Sequence, residues 1–232
     1  MKAAIVVPCR QARDITPATE RCLAVFESLG IQVRRMPHPW LLEDLRSVLV
    51  SRFLDSGFDA LLQWDADMVT DAPELVPELL FRDEHQGQVR AGLFLRAGGQ
   101  DGLAAEGLPS PIPERPFVAQ LIGGGCLMIT REAALKVSGS LPKFEAPDGT
   151  TYREFFGRLR GASPADNRYR RLSEIYSFCV RCHQASVPVI ADPRINLGHV
   201  RRDSNVIDWV RPPAATPRPD PRRSATGPCT AA

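Results

Sequence analysis

Two hydrophobic periods alternate along the first ninety or so residues of the chain. KAAIVV (2–7) is a short apolar run closed by Pro8. After it, Cys22, Leu23, Phe26 and Leu29 recur at helical spacing and stop at Gly30. IQVRRM alternates like a half-buried strand. Beyond the Pro37-His38-Pro39 break, Leu42, Leu45, Leu49 and Phe53 form a second helical face that stops at Gly57. DALLQWD (59–65) is the next strand. Asp71-Ala72-Pro73 reads as a helix N-cap with proline in the first turn, opening a helix to about Phe81, and VRAGLFLR is another strand.

Strand, helix, strand, helix, strand predicts an α/β domain: a mainly parallel central sheet with helices on both faces, a three-layer α/β/α, Rossmann-like arrangement. In such sheets ligands lie outside the carboxyl ends of the strands. The second half is less regular. Residues 97–116 are rich in Gly and Pro and read as a long surface loop. FVAQLIGGGCLMIT reads as two strand pieces split by three glycines, and REAALKV as a short helix. Residues 138–171 show no period and carry Arg158, Arg160, Arg168, Arg170 and Arg171. LSEIYSFCVRCHQA is helical, and VPVIAD is expected as the last strand. One domain is expected over 1–210, followed by a disordered Pro-rich tail over 211–232.

The 232 residues suffice for one sizeable core, which agrees with a single domain. A net charge of +2, from 29 basic and 27 acidic side chains, supplies no global field to recruit nucleic acid or an anionic membrane. The first apolar run is too short for a signal-peptide core and no segment is long enough for a membrane span, so a cytoplasmic protein is expected. The six cysteines are irregularly spaced and are expected as reduced thiols.

Candidate chemistry starts at the end of LLQWDADMVT. Strand alternation sends Asp65 and Asp67 to one face just past the strand, where two like charges repel unless a cation sits beside them. Mg²⁺ or Mn²⁺ suits such oxygen donors and commonly takes one or two carboxylates together with phosphate oxygens. A solvated turn with two incidental acids is the plain alternative. His199, in a terminal Gly-His, can reach the same sheet edge and complete an Asp-His site. Gly123, Gly124 and Gly125 mark a backbone bend or a close approach. Arg46 interrupts an apolar helix face and either meets a phosphate or carboxylate or snorkels to the surface. Cys179-Val180-Arg181-Cys182-His183 matches the haem-attachment pattern, but both cysteines fall on the apolar face with Ile175 and Phe178, which argues against haem, zinc and redox roles.

Four stretches, in order, resemble the GT-A family of nucleotide-sugar-dependent glycosyltransferases, specifically its small bacterial and phage members. They are IVVPCR, LRSVLVSRFLDSGFDALLQWDADMV, LIGGGCLMITREAALKV and SEIYSFCVRCHQASVPVIADPRINLGHV. The resemblance implies a GT-A domain that uses Mn²⁺ or Mg²⁺, with Asp67 as metal ligand, Asp65 on the metal or the ribose, and His199 as a further ligand. It implies that Arg46 and the loop after Pro8, with Arg10, help hold the nucleotide, and that Gly123, Gly124 and Gly125 line the donor-sugar and acceptor pocket. The donor is then a nucleoside-diphosphate sugar; the acceptor, a glycan, lipid-linked sugar, protein or small molecule, is not specified. Where relatives show Glu-Asp, this chain has Glu174-Ile175, so that either Glu174 is the candidate base or the enzyme retains configuration, and Ser47 stands where relatives often carry Asn. A binding protein without turnover is the alternative. A sugar-nucleotide nucleotidyltransferase fits less well, because PCRQARDITP after the first strand contains no glycine.

Overall fold

In a computed structural model the chain is described over residues 1–95, 103–146, 148–162, 167–201 and 206–209. It opens with β1 (Ala3–Cys9), buried from Ala4 onward as a strand covered on both faces should be. Next is α1 (Pro17–Ser28), whose start is set by Pro17 in the first turn and by the Thr16 hydroxyl, which accepts the Thr19 N–H. β2 (Gln32–Pro37), α2 (Leu42–Leu54), β3 (Ala60–Trp64), β4 (Met68–Thr70), α3 (Leu75–Leu80) and β5 (Val89–Leu93) follow. Short strands β6 (Ala105–Glu106), β7 (Phe117–Val118) and β8 (Leu121–Ile122) lead to β9 (Cys126–Thr130) and α4 (Arg131–Ser138). Then come β10 (Lys143–Glu145), β11 (Thr151–Arg153), β12 (Arg160–Ala162), β13 (Tyr169–Arg171), α5 (Glu174–Gln184), β14 (Val189–Val200) and β15 (Ile207–Trp209).

The main sheet has the order β15-β14-β5-β9-β3-β1-β2. β1 is parallel to β2 and β3, β14 is parallel to β5, and β9 lies antiparallel between β3 and β5. Hence β2, β1, β3, β5 and β14 all run one way, the mainly parallel sheet expected, with β9 reversed inside it. The reversal matters for the site: the start of β9, just after the three glycines, meets the carboxyl end of β3. There the Asp65 N–H donates to the Gly125 carbonyl at 2.9 Å.

Strand alternation feeds two separate cores. Leu61 packs with Leu45, Leu49 and Phe53 of α2, the small face of α4, and Phe178, Cys179 and Cys182 of α5. Leu62 and Trp64 face the opposite way, onto Leu23 and Phe26 of α1 and Val76 and Leu80 of α3. These are the outer layers of an α/β/α sandwich. Arg131, at the start of α4, ties the layer beneath it to the end of α2 by donating to the carbonyls of Leu54 (2.7 Å), Phe58 (2.8 Å), Phe53 (3.1 Å) and Ser56.

Four expectations are corrected. α3 begins at Leu75, not at Asp71, because the Asp71 carboxylate accepts from Asn196 Nδ2 at 2.7 Å and caps no helix. VPVIAD is neither the end of its strand nor the last one: β14 continues through a bulge between Asp192 and Asn196, and β15 follows. A bulge is where a proline, here Pro193, is tolerated inside a sheet. Within 138–171, β10 pairs with β11 and β12 with β13 in two small hairpins. Part of the 97–116 loop is structured, since β6 pairs with β8; residues 96–102 lie outside the described residues. So does the tail from residue 211.

Candidate active site

The site begins with a buried charge. α2 turns Arg46 inward beside Leu45, Val48 and Leu49, leaving its side chain 1% exposed, so it does not snorkel. A guanidinium there requires acceptors, and β3 supplies them. Its alternation brings Gln63 to the α2 face, where Gln63 Oε1 accepts from Arg46 Nη1 at 2.7 Å; just past the strand, Asp65 Oδ1 accepts from Nη2 at 2.5 Å. Burial pushes the Asp65 carboxyl above its ordinary value, Arg46 opposes that rise, and the neighbouring Asp67 adds to it. Ser47, beside Arg46, braces the backbone around the site. Its hydroxyl donates to the Glu43 carbonyl at 2.8 Å and accepts the Phe156 N–H at 3.0 Å.

The strand ends at Trp64 and the chain turns, with the Met68 N–H donating back to the Asp65 carbonyl at 3.1 Å. The two aspartates therefore take different partners. Asp67 Oδ2 lies 3.5 Å from His199 Nε2. His199 sits near the carboxyl end of β14, held between β4 and β15, and its ring stacks with Phe94 at a centroid distance of 6.3 Å. The hydrogen bond to Asp67 raises the imidazole pKa above its ordinary value, against the effect of burial. Among the described residues the buried Nδ1 of His199 finds no hydrogen-bond partner. Asp67 and His199 are thus brought together as expected, while Asp65 is turned to Arg46. Among the described residues no group of three or more His, Cys, Asp or Glu side chains is arranged around a metal position.

Two cavities open at this edge. One, of about 430 Å³, is walled by Pro8, Arg10, Glu43, Arg158, Asp65 and Asp67 among others. The other, of about 400 Å³, includes Arg46, Asp65, Gly123, Gly124, Arg171 and Glu174 in its lining. Asp65 and Leu42 line both. Glu174 reaches the second cavity from the first turn of α5, whose start is capped by the Ser173 hydroxyl. The glycines are close-approach positions: a Cβ on Gly124 would lie 2.5 Å from Ile175 Cδ1, and one on Gly123 would lie 2.5 Å from the Phe94 ring. Gly125 packs on Met68 and shapes the turn through its carbonyl.

Some polar residues of the site were not singled out from the sequence. Glu43 and Glu106 line the cavities and Gln63 holds Arg46; Gln63 carried a usable signal, since a fully buried amide in a strand demands a polar partner. The Cys179/Cys182 pair takes no part. Both are free and buried, burial pushes Cys179 up to about 12, and a thiol held protonated is neither a nucleophile nor a ready ligand. Cys9, Cys22 and Cys126 are also buried; Cys229 lies outside the described residues.

No protein-family model matches the chain, and no curated protein matches it in sequence. Among solved structures it is similar to a Drosophila β1,4-galactosyltransferase 7 variant in complex with manganese, UDP-Gal and xylobiose, at 13% identity and TM-score 0.45 over 98% of this chain and 76% of that one. It is similar to GalNAc-T7 with UDP, GalNAc and Mn²⁺ at 13% identity and TM-score 0.48, over 86% of this chain and 43% of that one. Its likeness to A197 from STIV reaches a TM-score of 0.53 at 13% identity, covering 93% of this chain and 97% of that one, and establishes a fold shared along nearly the whole of both chains.

Proposed function

We propose that the chain is a metal-dependent glycosyltransferase of GT-A type, with residues 1–210 as its domain, transferring a sugar from a nucleoside-diphosphate sugar to an acceptor hydroxyl. The carrying observation is that two cavities of similar size meet at Asp65 on the carboxyl edge of the sheet. A two-substrate transfer needs two adjoining sites that share the point where the reacting atoms meet. Of the residues that the resemblance assigns to the nucleotide, Pro8 and Arg10 line the first cavity and Arg46 the second; of its glycines, Gly123 and Gly124 line the second.

Asp67 and His199 fit a divalent cation, since a carboxylate oxygen and an imidazole nitrogen 3.5 Å apart can both reach one ion, and Mn²⁺ or Mg²⁺ takes such pairs with phosphate oxygens completing its shell. When bound, the cation neutralises charge on the departing nucleoside diphosphate. Arg10 supplies a planar donor fork to the phosphates from the first cavity. Asp65, oriented by Arg46, accepts a ribose hydroxyl or reaches the cation. Glu174 takes the proton of the acceptor hydroxyl as its oxygen attacks the anomeric carbon and the bond to the diphosphate breaks.

One observation favours a second reading, a nucleotide-sugar-binding protein without turnover. Ile175, at the position where the resemblance expects an aspartate, is 5% exposed and packs on Gly124. The two readings separate in a single experiment: nucleotide sugars are incubated with Mn²⁺ and released nucleoside diphosphate is measured. A transferase releases it, and Glu174→Gln lowers the rate about 100-fold or more while nucleotide binding persists. The binding protein shows metal-dependent affinity with no release.

A further inference from the structure

Arg158 stands where the two cavities adjoin. It lies between β11 and β12 and reaches the starts of two helices: its Nε is 3.2 Å from Glu43 Oε1, in the first turn of α2, and its Nη2 is 3.9 Å from Glu174 Oε2, in the first turn of α5. Arg158 and Glu43 line the first cavity, whereas Glu174 lines the second. The guanidinium side chain is 38% exposed and each carboxylate only 16%, so the arginine is the member with room to move. The contact with Glu174 is long for a charge-assisted hydrogen bond, which runs to about 2.7–2.9 Å. A phosphate can offer the fork two oxygens in bidentate geometry, which the single long contact with Glu174 does not. Arg46, whose guanidinium meets Asp65, is committed to Gln63 and Asp65 and cannot serve in its place, while Arg10 offers a further fork from the first cavity.

Building on the glycosyltransferase reading, we propose that Arg158 is a positioning residue that exchanges partners. It holds Glu174 before the donor arrives and turns to the donor diphosphate afterwards, which releases the Glu174 carboxylate toward the acceptor. Donor binding thereby prepares the base, so that the acceptor is activated only when a leaving group is in place.

The exchange leaves a signature in nucleotide affinity. Calorimetric titrations of UDP, GDP, ADP and CDP, each with excess MnCl₂, are run on the full chain, on Arg158→Met, on Glu174→Gln and on the double variant. Arg158→Met should weaken the preferred nucleotide about tenfold, as expected for loss of a charged donor to phosphate, and Arg158→Lys should restore part of that loss. Glu174→Gln should tighten it about threefold, because the guanidinium then has to leave only Glu43 and not two carboxylates, and this gain should vanish in the Arg158→Met background. If Glu174→Gln leaves affinity unchanged or weaker, or gives the same gain with Arg158 absent, the exchange is overturned and Arg158 is a strut between α2 and α5. If the unmodified chain binds none of the four nucleotides, the glycosyltransferase reading falls first, and the exchange with it.

Discussion

Replacing Arg46 by methionine removes a buried cation while keeping much of the side chain's volume. Arg46 is 1% exposed, and its removal strands two acceptors, Gln63 Oε1 at 2.7 Å and Asp65 Oδ1 at 2.5 Å. Breaking a fully buried pair from one side costs about 3–5 kcal/mol, and an acceptor left unsatisfied about 1–3 kcal/mol. The Asp65 side chain retains 27% exposure through the cavities, which lets water solvate part of the orphaned charge. The expected net loss is therefore about 3 kcal/mol, toward the low end of that range. For a chain of this size that is a fall in Tm of about 6–12 °C, measured by thermal and urea unfolding without metal. Asp65→Asn in the Arg46→Met background should recover about 2 kcal/mol, because the stranded charge is gone. A loss below about 1 kcal/mol, or strictly additive effects of the two substitutions, would refute the view that Arg46 and Asp65 stabilise each other at the floor of the site.

Three further outcomes are expected. Asp67→Asn and His199→Ala should each weaken Mn²⁺-dependent nucleotide binding more than about tenfold while leaving the melting profile nearly unchanged, as calorimetry and thermal unfolding will show. Gly124→Ala should cost about 1–3 kcal/mol in urea unfolding by driving a methyl into Ile175, and much less in an Ile175→Ala background. Burial acts to raise the pKa of Asp192, but hydrogen bonds from Arg194 and Arg90 outweigh it and hold the carboxyl below its ordinary value. That stability is complete above the unfolded-state value of about 3.9 and is lost as pH falls through the lower folded value. The unmodified chain should accordingly destabilise more steeply than Asp192→Asn between about pH 5 and pH 2 in acid titrations followed by circular dichroism.

The regular half of the fold was legible because burial imposes period on sequence. Leu45, Leu49 and Phe53 had to face one core and β3 had to be buried throughout, so α2 and β3 emerged from their largely apolar patterns. The hairpins of 143–171 escaped because strands of three residues with exposed or half-exposed side chains, such as Lys143–Glu145, carry no period to detect. β14 was cut short by Asp192-Pro193, a sequence that elsewhere ends strands, whereas here Arg90 and Arg194 neutralise the aspartate and the bulge absorbs the proline. At the site, residue types were readable but partnerships were not. Alternation predicted that Asp65 and Asp67 share a face; a turn starting at Asp65 instead gave one to Arg46 and the other to His199. The contacts of Arg158 with Glu43 and Glu174 join segments far apart in sequence, and no local spacing announces them.

The most direct test of the proposed activity is release of nucleoside diphosphate from a panel of UDP-, GDP-, CDP- and ADP-sugars incubated with the purified chain and Mn²⁺, with and without candidate acceptor sugars. A glycosyltransferase with this site releases the diphosphate from at least one donor, and release stops on chelation of the metal and in Asp67→Asn. No release from any donor, together with no metal-dependent binding of any nucleoside diphosphate, would contradict it.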